Sequence, residues 1–182
     1  MNNVIPFCNG YHTLVQTFRC GNEYLDSFIH TTTEAREIDT GKTYLFLSDD
    51  GTEVIGYYNI TTGAVDCYID KDRYRSGSSV HINCFAIDSK FQKLICFKTE
   101  DGKKYYFSDV LMYDCLKRID EIRNNTLGFA YVTLNATANG YHLYTRNGFE
   151  PLDEDLVFSL TEDETSEDNV ECIQMYLPLY DA

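Results

Sequence analysis

The chain has 182 residues, of which 43% are hydrophobic and 14% aromatic, and its 15 Lys and Arg against 29 Asp and Glu give a formal charge of −14. This composition excludes a disordered chain, because 15 Tyr and 11 Phe supply ample surface for packing. The length favours one domain with a substantial core. We therefore predict a single domain over residues 1–182.

Membrane spans and metal sites find no support in the sequence. No apolar run is long enough to cross a bilayer, and the first residues lack the basic and apolar segments of a signal peptide. We expect a cytoplasmic protein that does not bind membranes. The seven cysteines are widely spread, without Cys-x-x-Cys or Cys-x-x-His spacing. This spacing favours reduced thiols over a disulfide or zinc framework, and no metal is expected.

Charge is distributed unevenly along the chain. Ten carboxylates fall between Glu150 and Glu171 without any basic residue, whereas between Lys71 and Lys104 eight basic residues face four acidic ones. The overall acidity argues against a nucleic-acid partner, since phosphate binding requires Lys and Arg concentrated on one face. The basic middle segment leaves phosphate-bearing small molecules open as ligands.

The first half of the chain predicts one helix and three strands. Apolar residues at helical spacing predict a helix over residues 23–36, with Asn22 as its N-cap. Residues 42–48 and 53–62 predict an antiparallel pair, because Asp49-Asp50-Gly51 between them is a strong turn signal. Residues 80–88 are nearly continuously apolar and predict a central strand.

The second half predicts a hairpin, two helices and three strands. Residues 93–107 read as a hairpin around Glu100-Asp101-Gly102, followed by a helix from an N-cap at Ser108 to about Asn124. A strand over 129–134 leads to a short helix over 138–147 that stops at Gly148. Phe149 begins a return strand, an exposed acidic loop covers 161–169, and the last strand covers 170–177. This order predicts an α/β fold around one mixed sheet.

The segment from Phe129 to Phe149 carries the most informative motif. A strand runs into a short helix containing Leu143-Tyr144, and Gly148-Phe149 follows. This order resembles the last α/β unit of the GNAT superfamily of acetyl-CoA-dependent N-acyltransferases. Residues 20–29, 54–60 and 85–88 resemble, in the right order, the opening helix and the third and fourth strands of its toxin-like bacterial branch.

The resemblance covers roughly residues 12–177. It implies a GNAT-type mixed, mostly antiparallel central sheet flanked by helices, here with a hairpin inserted before the central helix. It also implies an enzyme that uses acetyl-CoA as cosubstrate and transfers the acetyl group to a primary amine by direct attack. Tyr144 matches the tyrosine that acts as general acid toward the leaving thiolate. A phenol with a pKa of about 10 is a suitable donor to a thiolate of pKa about 8.5.

Cofactor-binding residues follow from the same resemblance. The end of the fourth strand, here Phe85, Ala86 and Ile87, pairs with the pantetheine arm. The pyrophosphate lies on a glycine-rich loop at a helix N-terminus in this family. Here Gln92 and Lys93 begin like that loop, but no glycine follows at the right spacing. The remaining candidates are Lys104 and the helix start at Phe107, Ser108 and Asp109.

The altered loop leaves the manner of phosphate binding open. Tyr105 and Tyr106 leave less room for a phosphate to approach the backbone, and the carboxylate of Asp109 would repel it. Lysines of the basic segment offer compensating charges, or else they are ordinary surface residues. These lysines are Lys90, Lys93, Lys103 and Lys104.

The general base also stays open. Cys84 occupies the position where many GNATs carry a glutamate, and a thioester relay through Cys84 is one alternative. His81 and His142 are two others, since histidine titrates near neutral pH. For either histidine alone, a structural role is favoured over a role as the base.

Three functions therefore compete. The first is an N-acetyltransferase acting on a primary amine of unknown identity. The second is a toxin-like acetyltransferase of aminoacyl-tRNA, which the opening helix favours and the charge disfavours. The third is a GNAT-fold interaction module that has lost cofactor binding, an idea motivated by the missing glycines. The oligomeric state is open, with a homodimer among the possibilities.

Overall fold

The computed structural model describes residues 4–70, 73–152 and 172–179, without the side chains of residues 66–76. The chain divides into two compact units, Met1–Thr61 with Asn83–Thr126, and Thr62–Ile82 with Leu127–Ala182. Two long strands, β3 (Val54–Asp70) and β4 (Arg73–Ile87), contribute to both units. The acidic loop predicted at 161–169 lies outside the described residues.

The first unit begins with two strands at one edge of a sheet and three short helices between them. They are β1 (Val4–Pro6), α1 (His12–Val15), α2 (Glu23–Thr31), α3 (Glu37–Thr40) and β2 (Lys42–Leu47). β1 pairs antiparallel with β2, and β2 pairs antiparallel with β3, for example Leu45 opposite Tyr57. The predicted hairpin is confirmed, and Gly51 in its turn has a φ of +69°. The strand order in this unit is β1-β2-β3-β4.

Helix α2 begins where the sequence predicts but ends early. The Asn22 side-chain oxygen accepts a hydrogen bond from the Leu25 N–H at 3.0 Å, as expected of an N-cap. The helix ends at Thr31, and Thr32 is extended with a ψ of 134°, so the prediction of a helix to residue 36 was wrong. The hydroxyls of Thr31 and Thr32 donate to carbonyls of the last turn. Consecutive β-branched, self-bonding threonines favour leaving the helix.

The hairpin inserted before the central helix is confirmed. β5 (Ile95–Lys98) and β6 (Lys104–Tyr106) form a separate antiparallel two-stranded sheet, and α4 (Phe107–Asn125) follows at once. The helix starts before Ser108, with Tyr106 as the N-cap residue. The prediction of Ser108 as the N-cap was therefore wrong. The Asp109 carboxylate instead accepts a hydrogen bond from the Tyr106 N–H at 2.8 Å.

The core of the first unit lies between α2 and the sheet. Tyr57 is fully buried, packs edge to face against Phe18 with centroids 5.3 Å apart, and stacks on Phe28. Its hydroxyl donates to the Leu25 carbonyl at 2.7 Å, so the buried polar atom is satisfied. Each such large apolar side chain contributes about 1.5–3 kcal/mol when buried.

The second unit contains residues Thr62–Ile82 of β3 and β4 and four further described elements. They are β7 (Tyr131–Ala136), α5 (Ala138–Arg146), β8 (Glu150–Pro151) and β9 (Ile173–Pro178). β4 runs parallel to β7, whereas β7 and β8 are antiparallel to β9. The strand order is β4-β7-β9-β8. A mixed, mostly antiparallel sheet with flanking helices confirms the predicted fold class.

None of the helices in the described part of the chain is long and apolar enough to cross a membrane.

Candidate active site

The Leu-Tyr and Gly-Phe motif of the second unit forms one local structure. Tyr144 lies in α5 and is 7% exposed, and its ring packs edge to face against Phe149 with centroids 5.9 Å apart. The helix is followed by Gly148, whose φ of +87° is the left-handed conformation that glycine favours. This turn lets the Phe149 N–H donate to the Tyr144 carbonyl at 3.2 Å. The motif therefore holds the Tyr144 ring in one place.

Gly140 supports the same ring from the preceding turn of α5. A Cβ atom added at Gly140 would lie only 2.8 Å from Cε2 of Tyr144. Residues four apart lie on one face of a helix, and side chains point back toward its N-terminus. Gly140 was not among the predicted site residues, although its spacing of four from Tyr144 is visible in the sequence.

The predicted pantetheine edge is the last part of β4, in the first unit. The parallel register of β4 with β7 ends at the Ile82–Leu134 pair, before Phe85 is reached. Ala86 and Ile87 are buried, and Phe85 is half-buried. A Cβ at Gly56 would lie 2.7 Å from the Ala86 carbonyl oxygen. The absence of a side chain at Gly56 therefore allows β3 to approach this edge closely.

The loop after β4 differs from a glycine-rich loop in a specific way. The side-chain amide of Gln92 donates to the carbonyls of Cys20 and Ile87, at 2.8 and 2.9 Å. Both amide hydrogens are thus engaged within the first unit. Lys93 has a φ of +64°, the left-handed conformation that usually requires glycine. A lysine therefore makes the turn into the hairpin and exposes an ammonium group there.

The start of α4 is partly occupied by the chain's own groups. Asp109 binds the Tyr106 N–H, and the ring of Phe107 lies against Phe46 and Phe91, with centroids 5.9 and 5.5 Å away. Ser108 is half-buried and Lys104 is exposed. Phosphate binding at this helix start would depend on the exposed lysines and on the N–H groups that Asp109 leaves available. All candidate cofactor-binding residues lie in the first unit, and Tyr144 lies in the second.

The three candidate bases have different environments. Cys84 is 2% exposed, and burial raises the pKa of its thiol to about 12, which disfavours a thioester relay at neutral pH. His81 Nδ1 lies 2.9 Å from the Thr133 hydroxyl, and burial lowers the pKa of the imidazole. This shift favours the neutral ring and makes His81 a weaker base than a solvent-exposed histidine. His142 is exposed on α5, beside Tyr141.

The cysteines whose side chains are described are free thiols: Cys8, Cys20, Cys84, Cys96, Cys115 and Cys172. Cys67 lies outside the described side chains.

An open cleft of about 790 Å³ lies within the first unit. Its lining includes Tyr24 and Phe28 of α2, Asn83 of β4, and two carboxylates, Glu23 and Asp39. Arg36 also lines the cleft, and its guanidinium offsets part of the negative charge of the two carboxylates. This cleft was not predicted from the sequence, because its residues come from distant segments that meet only in the fold.

The element order, the mixed sheet and the tyrosine-bearing helix α5 define the GNAT fold. Among solved structures, a tyrosine-to-phenylalanine mutant of the AtaT toxin superposes with a TM-score of 0.69 at 17% identity, covering 97% of this chain and 88% of that one. The structure of AtaTR bound with acetyl-CoA superposes with a TM-score of 0.67 at 17% identity, covering 97% of this chain and 92% of that one. The structure of AtaT complexed with acetyl-methionyl-tRNAfMet superposes with a TM-score of 0.65 at 16% identity, covering 96% of this chain and 94% of that one.

A curated relative, the probable toxin TacT of Sinorhizobium fredii (strain NBRC 101917 / NGR234), is 28% identical over 144 residues, covering 74% of this chain and 77% of its own. No family model matches the chain. The predicted resemblance to toxin-like GNAT proteins is therefore confirmed at the level of the fold.

Proposed function

We propose that this protein is an acetyl-CoA-dependent N-acetyltransferase acting on a primary amine, with Tyr144 as general acid. The observation that carries the proposal is the Leu143-Tyr144 and Gly148-Phe149 unit, in which Gly140 and Phe149 hold the phenol ring. The amine nitrogen attacks the thioester carbonyl, the C–N bond forms and the C–S bond breaks. The Tyr144 hydroxyl gives its proton to the departing thiolate, and the amine loses a proton to a base or to water.

In this proposal the first unit binds the cosubstrate. The backbone of Phe85, Ala86 and Ile87 pairs with the pantetheine arm. Gln92 and Lys93 shape the loop, and Lys104 with Phe107, Ser108 and Asp109 lies at the phosphates. AtaTR bound with acetyl-CoA supports acetyl-CoA as the cosubstrate.

Calorimetric titration with acetyl-CoA tests this proposal directly. We expect saturable binding with one site per chain. Absence of binding at millimolar acetyl-CoA would contradict the proposal and favour an interaction module that has lost its cofactor. Coenzyme A that co-purifies with the protein, seen by mass spectrometry, would exclude that module.

Aminoacyl-tRNA is a second candidate acceptor. It is favoured by the complex of AtaT with acetyl-methionyl-tRNAfMet and by the similarity to the probable toxin TacT. Under this proposal, expression of the protein in a bacterial host arrests growth, and Tyr144→Phe relieves the arrest. Harmless expression of the unchanged protein at high level would contradict this acceptor.

Gly140→Ala should lower the rate of acetyl transfer about tenfold. The new methyl group must displace the Tyr144 ring, and a misplacement of about 1 Å can cost up to about a hundredfold in rate. Alanine is the better helix former, so the free energy of unfolding should change by less than about 1 kcal/mol. The assay is release of free coenzyme A in the presence of charged tRNA or a panel of primary amines. Gly128→Ala, with nothing within 4 Å of its Cβ position, is the control. Equal rates for both variants would remove Gly140 from the site.

A further inference from the structure

The hairpin before α4 exposes apolar side chains that form no part of a core. Leu94, Ile95 and Phe97 are 49%, 37% and 47% exposed, within four consecutive positions. A two-stranded sheet is marginally stable by itself, and contiguous exposed apolar groups indicate an interaction surface. This surface lies entirely within the first unit.

Two aromatic rings of the hairpin form a stacked pair. Phe97 of β5 lies opposite Tyr105 of β6, and their rings are 4.8 Å apart with an interplanar angle of 11°. The ammonium nitrogen of Lys103 lies 4.9 Å from the Tyr105 ring centroid. Phe97 is half-exposed, so the pair presents aromatic surface next to a positive charge. Aromatic surface beside cationic groups is the combination on which nucleic-acid bases stack.

Lysine charges flank the stacked pair. Lys98 and Lys104 are directly opposite each other across the two strands, an arrangement that like-charge repulsion disfavours. Within the described part of the chain, neither forms an ion pair, whereas Lys90 pairs with Glu53 at 2.6 Å. The carboxylates nearest in sequence are Glu100 and Asp101 of the turn. A bound polyanion would relieve the repulsion between the two lysines.

We propose that this hairpin surface, formed by Phe97, Lys98, Lys103 and Tyr105, binds unpaired bases of tRNA. Bases extend the Phe97–Tyr105 stack, and the lysines neutralise the phosphates on either side. An anionic membrane is less suited, because interfacial binding requires a larger apolar face than these few side chains provide. The inference rests on the second acceptor proposed above, since it gives aminoacyl-tRNA a basic contact on a chain whose total charge is −14.

The charge contribution is tested with Lys98→Gln and 5′-fluorescein-labelled deacylated tRNA. Fluorescence anisotropy over a series of salt concentrations should show a Kd about threefold higher and a salt slope smaller by about one. Lys117→Gln is the control, because Lys117 is an exposed lysine of α4 that pairs loosely with Glu121. Equal slopes for Lys98→Gln and the unchanged protein would overturn the proposal.

The stacking contribution is tested with Phe97→Ala. Loss of one stacked base should raise the Kd for the same tRNA at least about fivefold without changing the salt slope. Tyr113→Ala removes an aromatic side chain that is 65% exposed on α4, and it should leave the Kd unchanged. An equal loss in both variants would overturn a specific role for the stacked pair.

Two further titrations distinguish other ligands. If the hairpin surface serves the cosubstrate instead, Phe97→Ala and Lys98→Gln will weaken acetyl-CoA binding and spare tRNA, which overturns the proposal. Binding to vesicles of phosphatidylcholine and phosphatidylglycerol, with none to tRNA, also overturns it. If the unchanged protein binds acetyl-CoA but the variants bind tRNA normally, only this inference fails and the acetyltransferase proposal stands.

Discussion

Tyr144→Phe will lower the rate of acetyl transfer by at least about tenfold while acetyl-CoA affinity changes less than about twofold. The substitution removes one oxygen atom and keeps the ring that packs between Gly140 and Phe149. The departing thiolate then lacks its proton donor, whereas the cosubstrate contacts assigned to the first unit are untouched. The measurements are kcat from release of free coenzyme A and Kd from calorimetry.

Tyr141→Phe provides the matched control for this experiment. Tyr141 lies in the same helix as Tyr144, and its ring contacts the ring of His142 rather than that of Phe149. We expect an unchanged rate for the Tyr141 variant. If the Tyr144 variant also retains its full rate, Tyr144 has no part in the chemistry. If both variants lose affinity for acetyl-CoA, their effect is structural rather than on proton transfer.

Phe149→Ala will lower the free energy of unfolding by about 3–5 kcal/mol. Phe149 is 1% exposed, and its ring is the edge-to-face partner of Tyr144. Removing it leaves a cavity beside the proposed general acid and frees the Tyr144 ring to move. Denaturant unfolding measures the loss, and a decrease in acetyl transfer should accompany it.

Two other variants calibrate the Phe149 result. Phe149→Leu keeps most of the volume, so it should lose less than half as much stability as Phe149→Ala. Phe97→Ala removes the same side chain from a half-exposed position, and it should lower the unfolding free energy only by about 0.5–1.5 kcal/mol, the contribution of its stacked contact with Tyr105. A loss below about 1 kcal/mol for Phe149→Ala would show that Phe149 is not a core residue of the second unit.

Local signals predicted the parts of the fold that depend on neighbouring residues. Asp49-Asp50-Gly51 predicts the turn between β2 and β3 because a glycine supplies its left-handed conformation. Asn22 predicts the start of α2 because its side chain reaches an N–H three residues later. The Leu-Tyr and Gly-Phe motif predicts α5 and its end because Gly148 supplies the left-handed conformation that ends the helix. In each case the interacting atoms are close in sequence.

Elements that depend on distant partners were missed or misplaced. Residues Val4–Pro6 become β1 only because β2 offers an edge with which to pair. The lengths of β3 and β4, Val54–Asp70 and Arg73–Ile87, exceed the predicted strands. Short segments at a sheet edge carry little pattern of their own, since their hydrogen bonds go to another part of the chain.

The candidate site shows the same division. Tyr144 was identified from a motif that is complete within a few residues. The engagement of Gln92 with Cys20 and Ile87 could not be predicted, because Cys20 is far away in sequence. The cleft lined by Glu23, Asp39 and Asn83 was also invisible, since it exists only where α2, α3 and β4 meet.

The sequence by itself determined the fold class, the tyrosine of the proposed chemistry and the separation of a basic middle from an acidic end. The tyrosine follows from a family resemblance carried by a short motif, and the other two properties follow from the order of the predicted elements and from composition. Only the tertiary structure decided which basic residues lack ion-pair partners among the described residues, that Lys93 adopts a left-handed backbone conformation, and which side chains hold Tyr144 in place. The physical reason is that side-chain contacts and close backbone approaches join residues whose proximity is set by packing rather than by sequence distance.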